Sequence, residues 1–315
     1  MGLNSLGLRI RAILFYTFAN DMKKWPILVL ILLILIAGCE KAIDFDLESS
    51  EPRLVVEATI ENGQPPLVVL SHSLNYFSTI DPQLLATSFV HNAEVFVSNG
   101  SLVHKLKEYS YVVANDYKLY YYSIDSSNLT SAFVGELKKQ YSLRIKHQLK
   151  EYTATTTIPG ITKKVDSLWW KQAPANNDTN KVVAVVRVTD PPGFGDYVRY
   201  FTKRNKEPYY PPMTSAFDDL VIDGTTYELQ VDPGINRNIE RKEEEHFFDK
   251  GDTVTFKLCN VDKTTFDFWR TMEYSYRSIG NPFATPVKVL SNISNGALGY
   301  FGGYAAQYHT LVIPR

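Results

Sequence analysis

Cysteine is nearly absent: Cys39 and Cys259 are the only two in 315 residues. A disulfide framework is thereby excluded. Charge bias is missing too, since 33 Lys and Arg face 34 Asp and Glu for a net charge of −1. No basic stripe offers itself to a phosphate backbone, and nucleic acid is not expected as a partner. The chain has no Gly-x-Ser-x-Gly elbow, no glycine-rich phosphate loop after a strand and no dinucleotide fingerprint. Its six histidines never form a His-x-x-x-His pair. Glu243-Glu244-Glu245-His246 lies in a charge run and reads as a solvated loop. Asp218, Asp219 and Asp223-Gly224 echo a calcium loop but lack its alternate spacing and closing glutamate. Glycosidase carboxylates have no fixed spacing in sequence, and nothing singles out a pair. No metal, cofactor or catalytic residue is therefore expected.

Long hydrophobic runs are equally scarce. One exists, the ten residues Ile27 to Ile36, and it falls short of the roughly 20 that a transmembrane helix needs. Met22-Lys23-Lys24 precedes it and Ala37-Gly38-Cys39 closes it, which makes a secretion signal. Because Met22-Lys23-Lys24 suffices as the basic start of such a signal, Met22 is a candidate first residue. The quartet Ile36-Ala37-Gly38-Cys39 resembles the bacterial lipobox. That resemblance implies removal of residues 1–38 and a diacylglycerol thioether on Cys39, with palmitate among the expected acyl groups. The alternative is a signal anchor with a chance cysteine at its end. Glu40 to Pro52 is acidic and holds no helical or strand period, so residues 39–52 read as a tether that keeps the body close to a membrane.

Aromatics are abundant, with 20 Tyr and 17 Phe, and with Val and Thr they lean the composition towards sheet. Leu54, Val56, Ala58 and Ile60 alternate with Arg53, Glu57 and Thr59, the pattern of a half-buried strand. Similar runs recur at Leu67–Leu70, Ala93–Val97, Tyr117–Ile124, Gln140–His147 and Glu151–Ile158, with turn residues between them, as in a sandwich. The inward set of the last two is Tyr141, Leu143, Ile145, Tyr152, Ala154, Thr156 and Ile158. Pro159-Gly160 ends this part, so residues 53–160 are expected as one domain and 161–315 as a second. In the second, Lys181–Val188 is apolar on both faces and should be a buried strand. Around Cys259, Val254, Phe256 and Leu258 share one strand face while Thr255, Lys257 and Cys259 take the other, and the thiol is expected to be inert. One helix is expected over about 263–278, capped by Asp262, with Phe266, Trp269, Met272 and Tyr276 on its core face and Gly280 at its end. The fold class is all-β: two β-sandwich-like domains, the second carrying the helix.

Two motifs carry a family resemblance: Asn281 to Val287, and Ser291-Asn292-Ile293-Ser294-Asn295-Gly296-Ala297-Leu298-Gly299-Tyr300-Phe301-Gly302-Gly303-Tyr304. Together with the lipobox, Leu54 to Ala58, the Gly135 to Ile158 hairpin and Asp190 to Tyr200, they resemble domain-of-unknown-function family 4249, lipoproteins of Bacteroidota. The hairpin is also similar to the closing hairpin of Ig-like and transthyretin-like modules. The family resemblance implies an outer-membrane lipoprotein, on the cell-surface or the periplasmic face, working with a TonB-dependent receptor in nutrient uptake or envelope assembly. It carries over no catalytic residue. The alternative expectation is a glycan- or peptide-binding module that uses aromatics beside loops, with Trp169, Trp170, Tyr209 and Tyr210 as contacts. The glycines at 296, 299, 302 and 303 read as a sheet strand that allows close approach of another chain, or else as a ligand contact.

Overall fold

The computed structural model describes residues 51–74, 82–112, 118–174, 176–237, 246–281 and 283–315. The expected signal segment, Cys39, nearly all of the tether and Glu243–Glu245 lie outside the described residues. The elements are β1 (Leu54–Glu61), β2 (Leu67–His72), α1 (Pro82–Ser88), β3 (Glu94–Ser98), β4 (Val103–Val112), β5 (Lys118–Ile124), β6 (Lys139–His147) and β7 (Lys150–Ile158). They continue with β8 (Lys164–Gln172), β9 (Lys181–Thr189), β10 (Tyr197–Arg204), β11 (Ala216–Phe217), β12 (Thr226–Val231), β13 (Phe248–Asp249), β14 (Thr253–Val261), α2 (Lys263–Ser278) and β15 (Leu298–Val312). The all-β class with one packed helix is what the structure shows.

Alternation explains the strands. In β1 the side chains of Leu54, Val56, Ala58 and Ile60 are buried, and β6 and β7 bury all seven residues of their expected inward set. Val182 to Val186 of β9 are buried in succession, as a strand covered on both faces requires. Eleven strands form one sheet in the order β11-β10-β14-β15-β1-β2-β5-β4-β3-β6-β7, and β9 pairs with β12, β13 and β8 in a second. The axis of the large sheet is β15, which runs parallel to β1 from Leu298 to Tyr304 and antiparallel to β14 from Tyr304 to Val312.

Three hydrophobic clusters share this axis. Phe301 and Ala305 point into the cluster of β1, β2, β3, β6 and β7, whereas Tyr300, Tyr304 and Ala306 point under α2, and Ile313 joins the cluster between β14 and the second sheet. Gly303 is where β7 crosses β15, because a Cβ there would lie 2.5 Å from the Thr157 carbonyl oxygen. The boundary expected at Pro159-Gly160 falls between β7 and β8. It does not separate two compact units, since Ser50–Arg315 forms one. The reason is the pairing of β1 with β15, which joins the first strand of one expected domain to the last of the other.

The helix corrects a second expectation. Asp262 caps it as expected: Oδ1 accepts from the Thr265 N–H at 2.8 Å while Oδ2 accepts from the Thr157 N–H at 2.9 Å, which ties the helix start to β7. Its buried face, however, is Thr265, Phe266, Phe268 and Glu273, while Met272 and Tyr276 are exposed. Glu273 is drawn inside because its carboxylate accepts from the Ser215 N–H at 3.0 Å and from the Ser215 hydroxyl, so a polar residue takes the place that the apolar spacing assigned to Met272. Elements that were not expected include α1, the long strand β4 and the short strands β11 and β13.

Cys259 sits on β14 beneath α2, free and fully buried. Burial pushes its thiol pKa up to about 12. In the folded protein it should stay unlabelled by a thiol reagent at pH 8 and react only as fast as the chain unfolds. Rapid labelling of native protein, followed by absorbance, would contradict this placement.

Candidate functional site

Because α2 covers β15, β11 and β10, it leaves the outward face of β1 bare. The chain then leaves α2 and returns along residues 288–297 to begin β15, and the space enclosed is a recess of ≈ 720 Å³. Its floor is Val55 and Glu57 of β1 with Tyr300 of β15; one wall is Phe268, Trp269 and Met272 of α2; the other is Val289, Leu290 and Ile293. Arg53 and Lys288 contribute the positive charge.

The second motif builds this returning wall. Asn292 accepts from the Phe301 N–H at 2.9 Å and donates to the Phe301 carbonyl at 2.8 Å and the Thr155 carbonyl at 3.1 Å. The Ser294 hydroxyl accepts from the Thr153 N–H at 2.7 Å. Arg53 donates from Nε to the Gly296 carbonyl at 2.8 Å. Gly299 has φ +93°, and a Cβ on it would lie 1.9 Å from the Val56 carbonyl oxygen, so the parallel contact of β15 with β1 requires glycine there. Close approach of another strand's backbone is thus what Gly299 and Gly303 provide, while Gly296 and Gly299 also line the recess.

Behind the floor lies a buried polar chain. The Arg199 guanidinium donates from Nε to the Ser215 hydroxyl at 2.9 Å and from Nη1 to the Tyr304 hydroxyl at 3.4 Å, and its Cζ lies 3.3 Å from the Trp269 ring centre. Trp269 Nε1 donates to the same Tyr304 hydroxyl at 3.0 Å, and the Tyr300 and Tyr304 hydroxyls are 3.2 Å apart. Burial raises both tyrosine pKa values, so both stay neutral. Trp269 is thereby fixed in orientation, and Phe268 is fixed by stacking on Tyr300 with ring centres 4.4 Å apart.

Glu57 stands apart from this chain. It opens to solvent through the mouth of the recess, yet protein surrounds it on its other sides, and that burial raises its carboxyl pKa, with Arg199 opposing the shift. It makes no hydrogen bond or ion pair among the described residues.

The aromatic pairs expected as contacts are placed differently. Trp169 and Trp170 lie within β8, not beside a loop, and alternation sends them to opposite faces: Trp170 packs on the cluster of the second sheet and Trp169 on Ala173, Val183 and Val185. Tyr209 lies under Lys203 and Lys257 and meets Tyr308 edge-on. Tyr210 exchanges backbone hydrogen bonds of 2.9 Å with Thr202. The four do not form one platform, and none lines the recess. Sequence reasoning missed Glu57 because an outward Glu on an alternating strand looks ordinary.

Other places also hold space or charge, among them the following two. A recess of ≈ 560 Å³ between the sheets is lined by Val188, Val198, Tyr200, Val221 and Tyr227, and its two charged groups, Asp218 and Arg270, face each other at 3.8 Å. Carboxylate oxygens of Asp190, Asp219 and Asp223 lie within 4.8 Å of one another. This cluster already contains a cation, since Lys163 Nζ lies 3.2 Å from Asp190 with both side chains fully buried.

No helix among the described residues is long and apolar enough to cross a membrane. No curated protein matches the chain. A family model does match, over residues 40–309, which takes in the recess, both motifs and nearly all of the described body. The chain belongs to the family described as Domain of unknown function (DUF4249).

Proposed function

We propose that the chain is a lipid-anchored, non-catalytic interaction protein of the outer membrane, working with a TonB-dependent receptor in nutrient uptake or envelope assembly. The observation that carries this reading is the apolar surface along the segment joining α2 to β15, where Ile279, Phe283 and Leu290 are 73%, 94% and 46% exposed. Large apolar side chains left on one stretch mark an interaction surface. A lipid at Cys39 and the tether behind it would keep such a surface beside membrane residents at high effective concentration. Co-purification from solubilised outer membranes should recover a receptor with the wild type and lose it with Ile279→Asp and Phe283→Asp combined. Recovery of no outer-membrane protein by the wild type would end the reading.

The anchor has its own test. Cys39→Ala should abolish palmitate labelling and move the protein from the membrane to the soluble fraction, and an unchanged distribution would refute lipidation.

A second reading, a peptide-binding module, is favoured by the recess. Its lining offers one carboxylate and two cations among apolar and aromatic walls, a set suited to orienting a charged ligand in an otherwise apolar site. The glycan version finds less support, because Trp169 and Trp170 lie on opposite faces of their strand.

A further inference from the structure

The peptide-binding reading becomes specific at Glu57, and the ligand assigned to the recess rests on that reading. A carboxylate exposed at the mouth of a largely apolar recess, with no donor from the protein, is open to one from a ligand. Glu57 has no such donor among the described residues, and Arg199, which acts on it through space, is itself committed to Ser215 and Tyr304. An ionisable group without a protein partner in a recess whose other lining is mostly apolar is the candidate group for orienting a ligand. The arrangement of charge says what would bind. The negative group is on the floor, and Arg53 and Lys288 are the only cations of the lining. Lys288 makes no hydrogen bond or ion pair among the described residues. Between them lie Val55, Met272 and Leu290, and the Trp269 and Phe268 rings, already fixed by Arg199 and Tyr300, give a wall that need not reorganise.

We propose that the recess over β1 binds the free amino terminus of a peptide whose first side chain is apolar. The ammonium group donates to the Glu57 carboxylate, the side chain lies on the α2 wall, and the following carbonyl or carboxylate oxygens face Arg53 and Lys288. A neutral apolar ligand leaves Glu57 unpaired. A simple anion meets its repulsion. The zwitterionic end of a short peptide answers both.

Titration calorimetry on the full chain at pH 7.5 tests this with two probes, the dipeptide Leu-Phe and its N-acetylated form, which lacks the ammonium group. The wild type should bind Leu-Phe about tenfold or more tightly than the acetylated form, the loss expected for one charge-assisted hydrogen bond. Glu57→Gln should erase that preference, and Lys288→Ala should weaken both probes. Folding of the Gln variant is checked by melting. Because the folded-state carboxyl pKa is raised, the ionised group disfavours the folded state at pH 7.5, and the variant should melt no lower than the wild type. Equal affinity of the wild type for both probes, an undiminished preference in Glu57→Gln, or no binding of Leu-Phe at millimolar concentration each overturns the proposal. Receptor co-purification by Glu57→Gln separates the two readings: retained recovery leaves the interaction surface standing whatever the recess does.

Discussion

Alanine at position 299 should leave little folded protein. Gly299 has φ +93°, and an added Cβ would lie 1.9 Å from the Val56 carbonyl oxygen and 2.9 Å from the Val56 nitrogen. Both neighbours are backbone atoms of β1, and Val56 itself is fully buried, so no side chain can swing aside. The left-handed backbone alone costs about 1–3 kcal/mol for a residue with a Cβ. Parting β15 from β1 at their parallel register adds to that, against a total stability on the order of 5–15 kcal/mol. The check is soluble yield and thermal melting, with Gly100→Ala as comparator. Gly100 also has positive φ, +89°, but an added Cβ meets nothing within 4 Å, so its cost should stay near about 1 kcal/mol. A Gly299→Ala protein that melts beside the comparator would mean that β1 and β15 are not held as described.

Lys163→Met should be nearly as damaging, for an electrostatic reason. Its ammonium is the one cation among the described residues ion-paired to Asp190, and oxygens of Asp219 and Asp223 lie within 4.8 Å of the Asp190 carboxylate. Those two carboxylates also organise a turn: Asp219 accepts from the Gly195 and Asp196 N–H groups at 2.8 and 2.9 Å, and Asp223 from Gly193 at 2.6 Å. Removing one partner of a buried ion pair costs about 3–5 kcal/mol. Burial already raises the Asp190 pKa, against the pull of Lys163. Without Lys163 it rises further, so the charged form is disfavoured in the folded state at neutral pH, and the penalty fades as pH falls towards the ordinary carboxyl value of 3.8. Melting temperature against pH should therefore show the variant converging on the wild type in acid. Replacing both partners, Lys163→Met with Asp190→Leu, should recover most of the loss, because two apolar side chains leave no orphaned charge. A constant deficit across pH would point to packing instead.

The strands with clean period-two alternation were legible in the sequence almost to the residue. β1, β6 and β7 each bury the side chains that their patterns assign, because one face of each meets a core and the pleat leaves no other choice, and β9, apolar on both faces, is buried on both. The extent of α2 and its Asp262 cap were legible for a similar reason, since capping is local. Its face was not. Ser215, 58 residues before Glu273, supplies the two donors that draw that carboxylate inward, and no local rule reaches so far. The same distance hid the pairing of β1 with β15, which overrules the division at Pro159-Gly160. β4 escaped because Val103 to Val112 exposes both faces towards its end, where Tyr109 and Tyr121 stack on each other. The recess was half legible: the motif Ser291 to Tyr304 stood out as residues, but its roles as clamp, close strand contact and floor depend on Thr153, Thr155 and Val56, which lie far away in the chain.

The parallel seam between β1 and β15 also sets an order of events in time. Residues 55–61 find their β15 partners only when residues 298–304 are present, and closure of so long a loop is entropically costly and slow. Until then β1 can pair only with β2, a two-stranded hairpin that is marginal alone. A ribosome-bound chain therefore cannot complete the large sheet until its last fifteen-residue strand has emerged.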